Sequence, residues 1–469
     1  IDSNKWAISS RGFNGLYSNK LLVLIDGRSV YTPIFSGVFW DVQDTFIDDI
    51  ERIEVVRGPG GSLWGANAVN GVINIITKKA SDTDGALLRA TAGTEERLNL
   101  AGRYGQAIDD HSNLRLFAKH VKRDSGALAS GDDGSDATNI QRGGFRYDNA
   151  LKSGGNFMFQ GEAYAGRMGH LVAFPTLTAP FTSTLSDDTR VNGQFLLGRW
   201  ENDNQLSIQT YFDRAVRHDI HAATETNTLD VEIQKRRQIW QTHDVVVGAG
   251  YRFTLDSTGT TDQVFITPGD EAYHLASAFV NDEITLSDSV KLILGSKLEY
   301  NSFTGIEIQP SARTLWNVAP NNTLWASVSR AVRTPSRAAD GVVINSTVVA
   351  GTPPVQARIF GSKDVESEEL VAFELGFKTR PLPNVSVDIA AFYNIYDKLL
   401  TTEAGTAFVE AAPAPVHAVL PLTFANNMSG EAHGLELSAD WRTRKWLRLR
   451  GAYTLFELFL HRRPGTGTV

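Results

Sequence analysis

The sequence predicts a mostly β protein. A transmembrane antiparallel β-barrel, residues 81–469, follows a small mixed α/β unit, residues 1–80, that sits in the barrel lumen. Three observations predict it. Apolar and polar residues alternate with period 2 from about Gly85 onward, as expected of strands with two different faces. The alternating runs reach roughly 10–13 residues, longer than the usual ~5–6 of soluble sheets and close to the ~9–11 that a tilted strand needs to cross a bilayer. The connections between them alternate between short and long, the layout of an outer-membrane barrel with short periplasmic turns and long outer loops.

The first 80 residues break this pattern. "KLLVLIDGRSVYT" reads as two strands around a turn at "DGR". "DDIERIEVVRG" reads as a helical turn feeding a strand, and "GVINIITKK" as a compact apolar strand. Between them lies "GPGGSLWGAN". A P-loop needs Lys and Ser/Thr directly after its glycines, and a dinucleotide fingerprint needs three glycines opening a helix. Neither spacing is present, and a β run follows. Gly58, Gly60, Gly61, Gly65 and Gly71 are therefore expected to supply positive-φ turns and close backbone packing.

Beyond residue 80, "HDVVVGAGYRF" sets Val245, Val247, Ala249, Tyr251 and Phe253 on one face and Asp244, Val246, Gly248, Gly250 and Arg252 on the other. "GLELSADWR" sets Leu435, Leu437, Ala439 and Trp441 opposite Glu436, Ser438, Asp440 and Arg442. Short connections include "LKSGG", "ENDN", "SDSV" and "TRK"; long ones include 123–139, 168–188, 214–228, 255–272, 334–365 and 401–430. Counting through to Glu457 gives about 17 strands, against the ~22 of plugged outer-membrane barrels. Tyr251, Phe253, Trp441 and Trp446 suit an interfacial aromatic girdle, and Arg448 and Arg450 suit the lumen face.

Composition narrows the function. Formal net charge is −8, which argues against a nucleic-acid partner. There are 0 cysteines, so disulfides and thiolate metal sites are excluded. No apolar run approaches the ~18 residues of a membrane-spanning helix. "IDSNKWAISSRGF" and "FLHRRPGTGTV" both read as ends cut within a pattern, so the sequence is expected to be a piece of a longer chain.

"IERIEVVRGPGGSLWGANAVNGVINIITKKA" resembles, nearly end to end, the plug signature of TonB-dependent outer-membrane receptors. "WAISSRGFNG" and "LLVLIDGRSVYTP" resemble the upstream plug motifs. "SVSRAVRTPS", "VAFELGFKT", "DIAAFYNIYDKLLT" and "GEAHGLELSADW" resemble barrel segments in the family order. The resemblance implies a monomeric receptor in the outer membrane of a Gram-negative bacterium, surrounded by its lipids. It implies uptake of a scarce ligand driven by the TonB complex, most often a ferric siderophore, otherwise haem, cobalamin or another metal chelate. The TonB contact segment is expected to lie outside this piece. A passive porin is the competing reading, and residues 1–80 argue against its open lumen. No catalytic residue, resident metal or cofactor is implied.

The resemblance also implies that plug arginines, here Arg11 and Arg57, pair with barrel glutamates, for which Glu374 in "VAFELGFK" is the candidate. The alternative is that each arginine caps local carbonyls. In "SVYTPIFSGVFWDV", Tyr31, Phe35, Phe39 and Trp40 form either a shelf for an aryl chelate or the plug core, with Tyr31 and Phe35 expected at the surface. His170, His218 and His221 fall in expected outer loops, where they either ligate a metal or stay solvated.

Overall fold

A computed structural model describes residues 3–261 and 263–467. Residues before about 80 build a four-stranded sheet: β1 (Leu21–Ile25), β2 (Arg28–Ser29), β3 (Ile50–Arg57) and β4 (Gly71–Thr77). Its order is β2-β1-β4-β3, with β1 parallel to β4 and the other pairs antiparallel. The run "LLVLI" is apolar at every position because β1 is covered on both sides. Val23 and Ile25 join Val30, Val38 and Ile75 on one side; Leu22 and Leu24 join Ala68 and Val72 on the other. One helical turn, α1 (Gly61–Trp64), interrupts the glycine tract that sequence spacing assigned to turns alone.

The remaining strands form one wall, antiparallel apart from one short outer strand that pairs in parallel. They are β5 (Gly85–Thr91), β6 (Leu98–Ala107), β7 (Ser112–Arg123), β8 (Thr138–Ala150), β9 (Asn156–Pro175), β10 (Thr182–Glu201), β11 (Leu206–His218) and β12 (Ala223–Ile239). Then come β13 (His243–Gly259), β14 (Val264–Ile266), β15 (Asp270–Ser287), β16 (Val290–Asn301), β17 (Gly305–Ala319) and β18 (Asn322–Arg333). After a short helix, α2 (Arg337–Gly341), follow β19 (Val342–Val349), β20 (Val355–Phe360), β21 (Glu368–Leu382), β22 (Val385–Ala404), β23 (Phe408–Glu410), β24 (His417–Arg444) and β25 (Leu447–Arg462). Setting aside the short outer pieces β14, β19, β20 and β23, 17 strands make up the wall. Around the ring β5 follows β25 and β9 closes against β10.

The strands are longer than the alternation indicates. β9, β10 and β22 each run 20 residues and β24 runs 28. The expected loops at 168–188 and 214–228 are mostly hairpin, reduced to turns at 176–181 and 219–222. The last strand ends at Arg462, five residues past Glu457. The reason is physical. Alternation requires an apolar outer face, whereas the backbone ladder pairs N–H with C=O whatever the side chains are. Where the outer face turns polar the sequence signal fades and the ladder continues.

The small sheet lies inside the wall. Val69 packs with Leu370, Ala372, Tyr396, Leu399 and Ala432, a cluster joining the inner unit to β21, β22 and β24. Tyr396 donates its hydroxyl proton to Asn70 Oδ1 at 2.8 Å, and both side chains are fully buried. Removing that hydroxyl orphans a buried acceptor, so Tyr396→Phe is expected to destabilise the protein by ~1–3 kcal/mol. The midpoint of denaturant unfolding in detergent measures this; an unchanged midpoint would contradict the contact.

Candidate plug–barrel lock and apical surface

The inner unit is charged where it meets the wall. Arg11 precedes β1 in a left-handed backbone conformation, φ 53°. Its Nη1 donates to Glu374 Oε1 at 2.8 Å, and its Nε donates to Glu436 Oε1 at 3.2 Å. The guanidinium also lies 4.1 Å from the centre of the Phe392 ring. The three charged side chains are 3%, 2% and 5% exposed. Burial alone would lower the Arg11 pKa, but hydrogen bonding to Glu436 and the charges of both glutamates hold it above its ordinary value. Arg57, ending β3, reaches Glu436 Oε2 at 2.9 Å with its side chain 42% exposed.

Thus Arg11, Arg57 and Glu374 meet at one place, and Arg11 pairs with Glu374 as the resemblance implied. Glu374 takes Arg11, and the second carboxylate is Glu436. Glu436 was missed although its signal was present, since it alternates with Leu435 and Leu437 on the lumenal face of β24. Nothing local distinguishes it from Asp440 on the same face. Only the depth of the inner unit does.

The glycines explain how close the two bodies come. Gly58 and Gly65 have φ of 82° and 89°, a region disfavoured for side chains. A Cβ at Gly58 would run into the Glu374 carboxylate, and one at Gly65 into that of Glu299. Gly61 faces Gln309, Gly60 the ring of Trp64, and Gly71 the carbonyl of Val56. The loop therefore meets an acidic wall, which a phosphate could not share. Glu299 Oε2 also accepts from Ala66 N at 2.6 Å.

Further pairs ring the inner unit, sorted by sign. Its cations face wall carboxylates: Lys20 pairs with Glu368, and Arg28 with Asp213 at 2.5 Å. Burial lowers the Lys20 pKa, partly offset by Glu368. Its carboxylates face wall cations: Asp41 with Arg217 at 2.8 Å, Asp44 with Lys119 at 2.5 Å, and Asp49 with Arg103 at 2.6 Å. A cavity of about 670 Å³ remains between this unit and the wall from β8 to β16.

At the end carrying the long connections, Tyr17, Phe35 and Phe39 form an edge-to-face chain with centroids 5.2 and 4.9 Å apart. Arg217 lies 4.6 Å from the Phe39 ring. Tyr31 is not at this surface, contrary to expectation. It packs against both core clusters and its hydroxyl donates to Asn19 O at 2.8 Å. Burial pushes its pKa up. Trp40 packs against the Val23 cluster. The outer connection contributes α2, whose Arg337 and Ala338 amides donate to Pro33 and Ile34 carbonyls, each at 2.9 Å.

The histidines are not in loops together. His170 is buried in β9, 3.6 Å from Asp187. His218 ends β11 and is exposed; His221 lies in the following turn with its ring 5.6 Å from Phe174. The spacing of three falls on a strand end and a turn, not a helix, so the two rings share no face. Among the described residues no group of three or more His, Cys, Asp or Glu is arranged to hold a metal.

Fold and lock together define a class, a barrel wall with a plug seated in its lumen by ion pairs. The comparisons give the family. The TonB-dependent Receptor Plug Domain matches residues 2–72, and the TonB dependent receptor-like beta-barrel matches residues 81–467. The chain belongs to the TonB-dependent receptors. It is 21% identical to the iron-regulated outer membrane virulence protein of Vibrio cholerae, covering 94% of this chain and 68% of that one. It is 22% identical to the vitamin B12 transporter BtuB of Vibrio vulnificus, covering 92% of this chain and 65% of that one. The crystal structure of the siderophore receptor PirA from Acinetobacter baumannii superposes with a TM-score of 0.74 at 16% identity, over 99% of this chain and 75% of that one.

Arg11→Met takes the buried cation from Glu374 and Glu436, of which only Glu436 keeps Arg57, and is expected to loosen the plug by ~3–5 kcal/mol. Arg57→Met removes a half-exposed pair and is expected to change it by less than ~1 kcal/mol. Protease accessibility of the plug during a urea titration reads both, and the reverse ranking would refute the assignment. Gly58→Ala is expected to weaken plug seating by ~1–3 kcal/mol through its left-handed backbone, with the Glu374 clash added. The same titration measures it.

Proposed function

We propose that this protein is an outer-membrane uptake receptor for a ferric siderophore, driven by the TonB complex, and that it breaks no bond in its ligand. The observation that carries this reading is a lumen filled by a separate unit held through ion pairs. Such contacts exchange for water once one partner moves, so the plug can be seated at rest and displaced by pulling. A passive pore has no use for it.

The ligand class rests on what similar proteins are called. One is an iron-regulated outer membrane protein and one a siderophore receptor. BtuB, a vitamin B12 transporter, favours cobalamin as the second reading. Within this chain, the Tyr17–Phe35–Phe39 edge and Arg217 beside it offer aromatic faces and a cation, groups suited to an aryl, anionic chelate. Arg217 is already balanced by Asp41 and Asp219, so binding there would draw on ring contact first.

Ser62 of α1 and Ser311 of β17 have their hydroxyl oxygens 2.8 Å apart. These 469 residues contain 0 cysteines, so Ser62→Cys with Ser311→Cys can form one disulfide between plug and wall. In cells carrying the full-length protein, the oxidised variant is expected to bind a ferric siderophore with wild-type affinity and import none. Reductant should restore import. Import that continues while the bond is intact would refute plug displacement. A binding panel of ferric chelates, haem and cobalamin, followed by fluorescence quenching, tests the ligand class: response to cobalamin alone would overturn the siderophore reading.

A further inference from the structure

Asparagine is followed by glycine at three places, Asn14–Gly15, Asn70–Gly71 and Asn192–Gly193. The dipeptide is chemically vulnerable. The glycine amide nitrogen, with no side chain beside it, can attack the asparagine side-chain carbonyl. Attack requires an asparagine side chain free to turn, a backbone that can bring the nitrogen onto Cγ, and an amide proton open to base. The fold meets these conditions at only one of the three pairs.

Two pairs are protected. Asn70 is fully buried. Its Nδ2 donates to Ser10 O at 2.9 Å, and its Oδ1 accepts from the Tyr396 hydroxyl at 2.8 Å. Gly71 opens β4 and pairs with both β1 and β3. Asn192 and Gly193 lie within β10, paired with β9 on one side and β11 on the other. A ladder on both sides holds the backbone extended and keeps each amide proton in a hydrogen bond.

Asn14 has neither protection. Asn14 and Gly15 are both exposed, in the plug segment between Arg11 and β1. The Asn14 side chain has no hydrogen-bond partner among the described residues. Gly15 starts a turn, its carbonyl accepting from Ser18 N at 3.1 Å. Its own amide donates to Ser18 Oγ at 3.0 Å, an exposed contact that solvent can replace. A Cβ at Gly15 would meet nothing within 4 Å, so the space around the attacking residue is open. The segment is anchored at both ends by rings. Phe13 meets Tyr396 edge to face at 5.0 Å, and Tyr17 meets Phe35 at 5.2 Å.

We propose that Asn14 is a site of spontaneous deamidation on the plug surface, yielding aspartate or isoaspartate at position 14. Hydroxide removes the Gly15 amide proton. The nitrogen then bonds to Asn14 Cγ, and the Cγ–Nδ2 bond breaks. Nδ2 leaves as ammonia, taking its third hydrogen from water and returning the hydroxide. A second water opens the ring. Opening at Cγ restores the main chain with an aspartate side chain. Opening at the backbone carbonyl carbon routes the chain through Cγ as isoaspartate. Either product carries a negative charge that asparagine lacks, and isoaspartate also lengthens the backbone between the two ring anchors. The charge arises beside Tyr17, on the edge suited to an aryl, anionic chelate. Its effect on binding rests on the siderophore reading; the conversion itself does not.

The test holds the full-length protein in detergent and mildly alkaline buffer. Trypsin cuts after Arg11 and Lys20, freeing residues 12–20 for mass spectrometry. In folded protein an acid is expected to replace the amide at Asn14, while Asn70 and Asn192 keep theirs. In urea all three should convert. Gly15→Ala adds a methyl group into open space, at a backbone outside the left-handed region. It is expected to slow conversion several-fold with an unchanged unfolding midpoint. A stable Asn14 amide in folded protein, or equal conversion at the three sites, overturns the proposal. Conversion of Gly15→Ala at the wild-type rate overturns the ring route. Asn14→Asp supplies the charge alone and forms the separate arm, with a ferric tris-catecholate as probe. It is expected to weaken binding by about two- to five-fold, the range of an exposed charge contact, and salt should erode the difference. Equal binding by variant and wild type overturns the effect on the ligand. Failure of wild type to bind any ferric chelate overturns the siderophore reading instead, and the conversion stands or falls on the peptide map.

Discussion

Everything in this molecule is arranged around one constraint: a polar plug surface enclosed by a wall must find its partners on that wall. Arg11 shows how strictly this is met. Its guanidinium is claimed by two carboxylates and a ring from three strands, β21, β22 and β24. A buried ion pair is weak evidence for stability as such, since desolvation offsets much of its attraction. What it supplies here is position. Any displacement of the plug along the lumen leaves charges unpaired in a poorly hydrated space, which few other contacts would punish as heavily.

The sorting of charges by sign extends this to rotation. Plug cations meet acids on β11, β21 and β24, while plug acids meet cations on β6, β7 and β11. Turning the plug within the wall would bring like charges together on both sides. Seating is therefore specific in angle as well as depth. The Arg28–Asp213 pair and Arg217 border the cavity, so water can replace those contacts one at a time. A fully apolar interface of the same area would hold the plug without such a route to release.

The outer face obeys a different solvent. On β7 and β9 it is apolar for most of the strand and becomes cationic at one level. On β18, β21 and β22 the charges at the long-connection end are paired among themselves. The wall thus presents different polar edges around its circumference, although the backbone ladder beneath is uniform.

Much of this was legible in the chain. Period-2 alternation and alternating connection lengths announced the wall and its 17 strands, since facing and turn chemistry are set within a few residues. The hairpin at "DGR", the turn before "ERIEVV" and the strand "GVINIIT" were readable for the same reason. The glycine tract could be refused a nucleotide by spacing alone. Other features depended on residues hundreds of positions apart. That Arg11 rather than Arg57 is the buried cation, and that Glu436 joins Glu374, follows from how deep the plug sits. Tyr31 is core because two sheet faces close over it, and His170 is buried because the ladder continues past the apolar band. Local patterning carries the information for elements, whereas choice of partner is a property of packing, which no window of sequence contains.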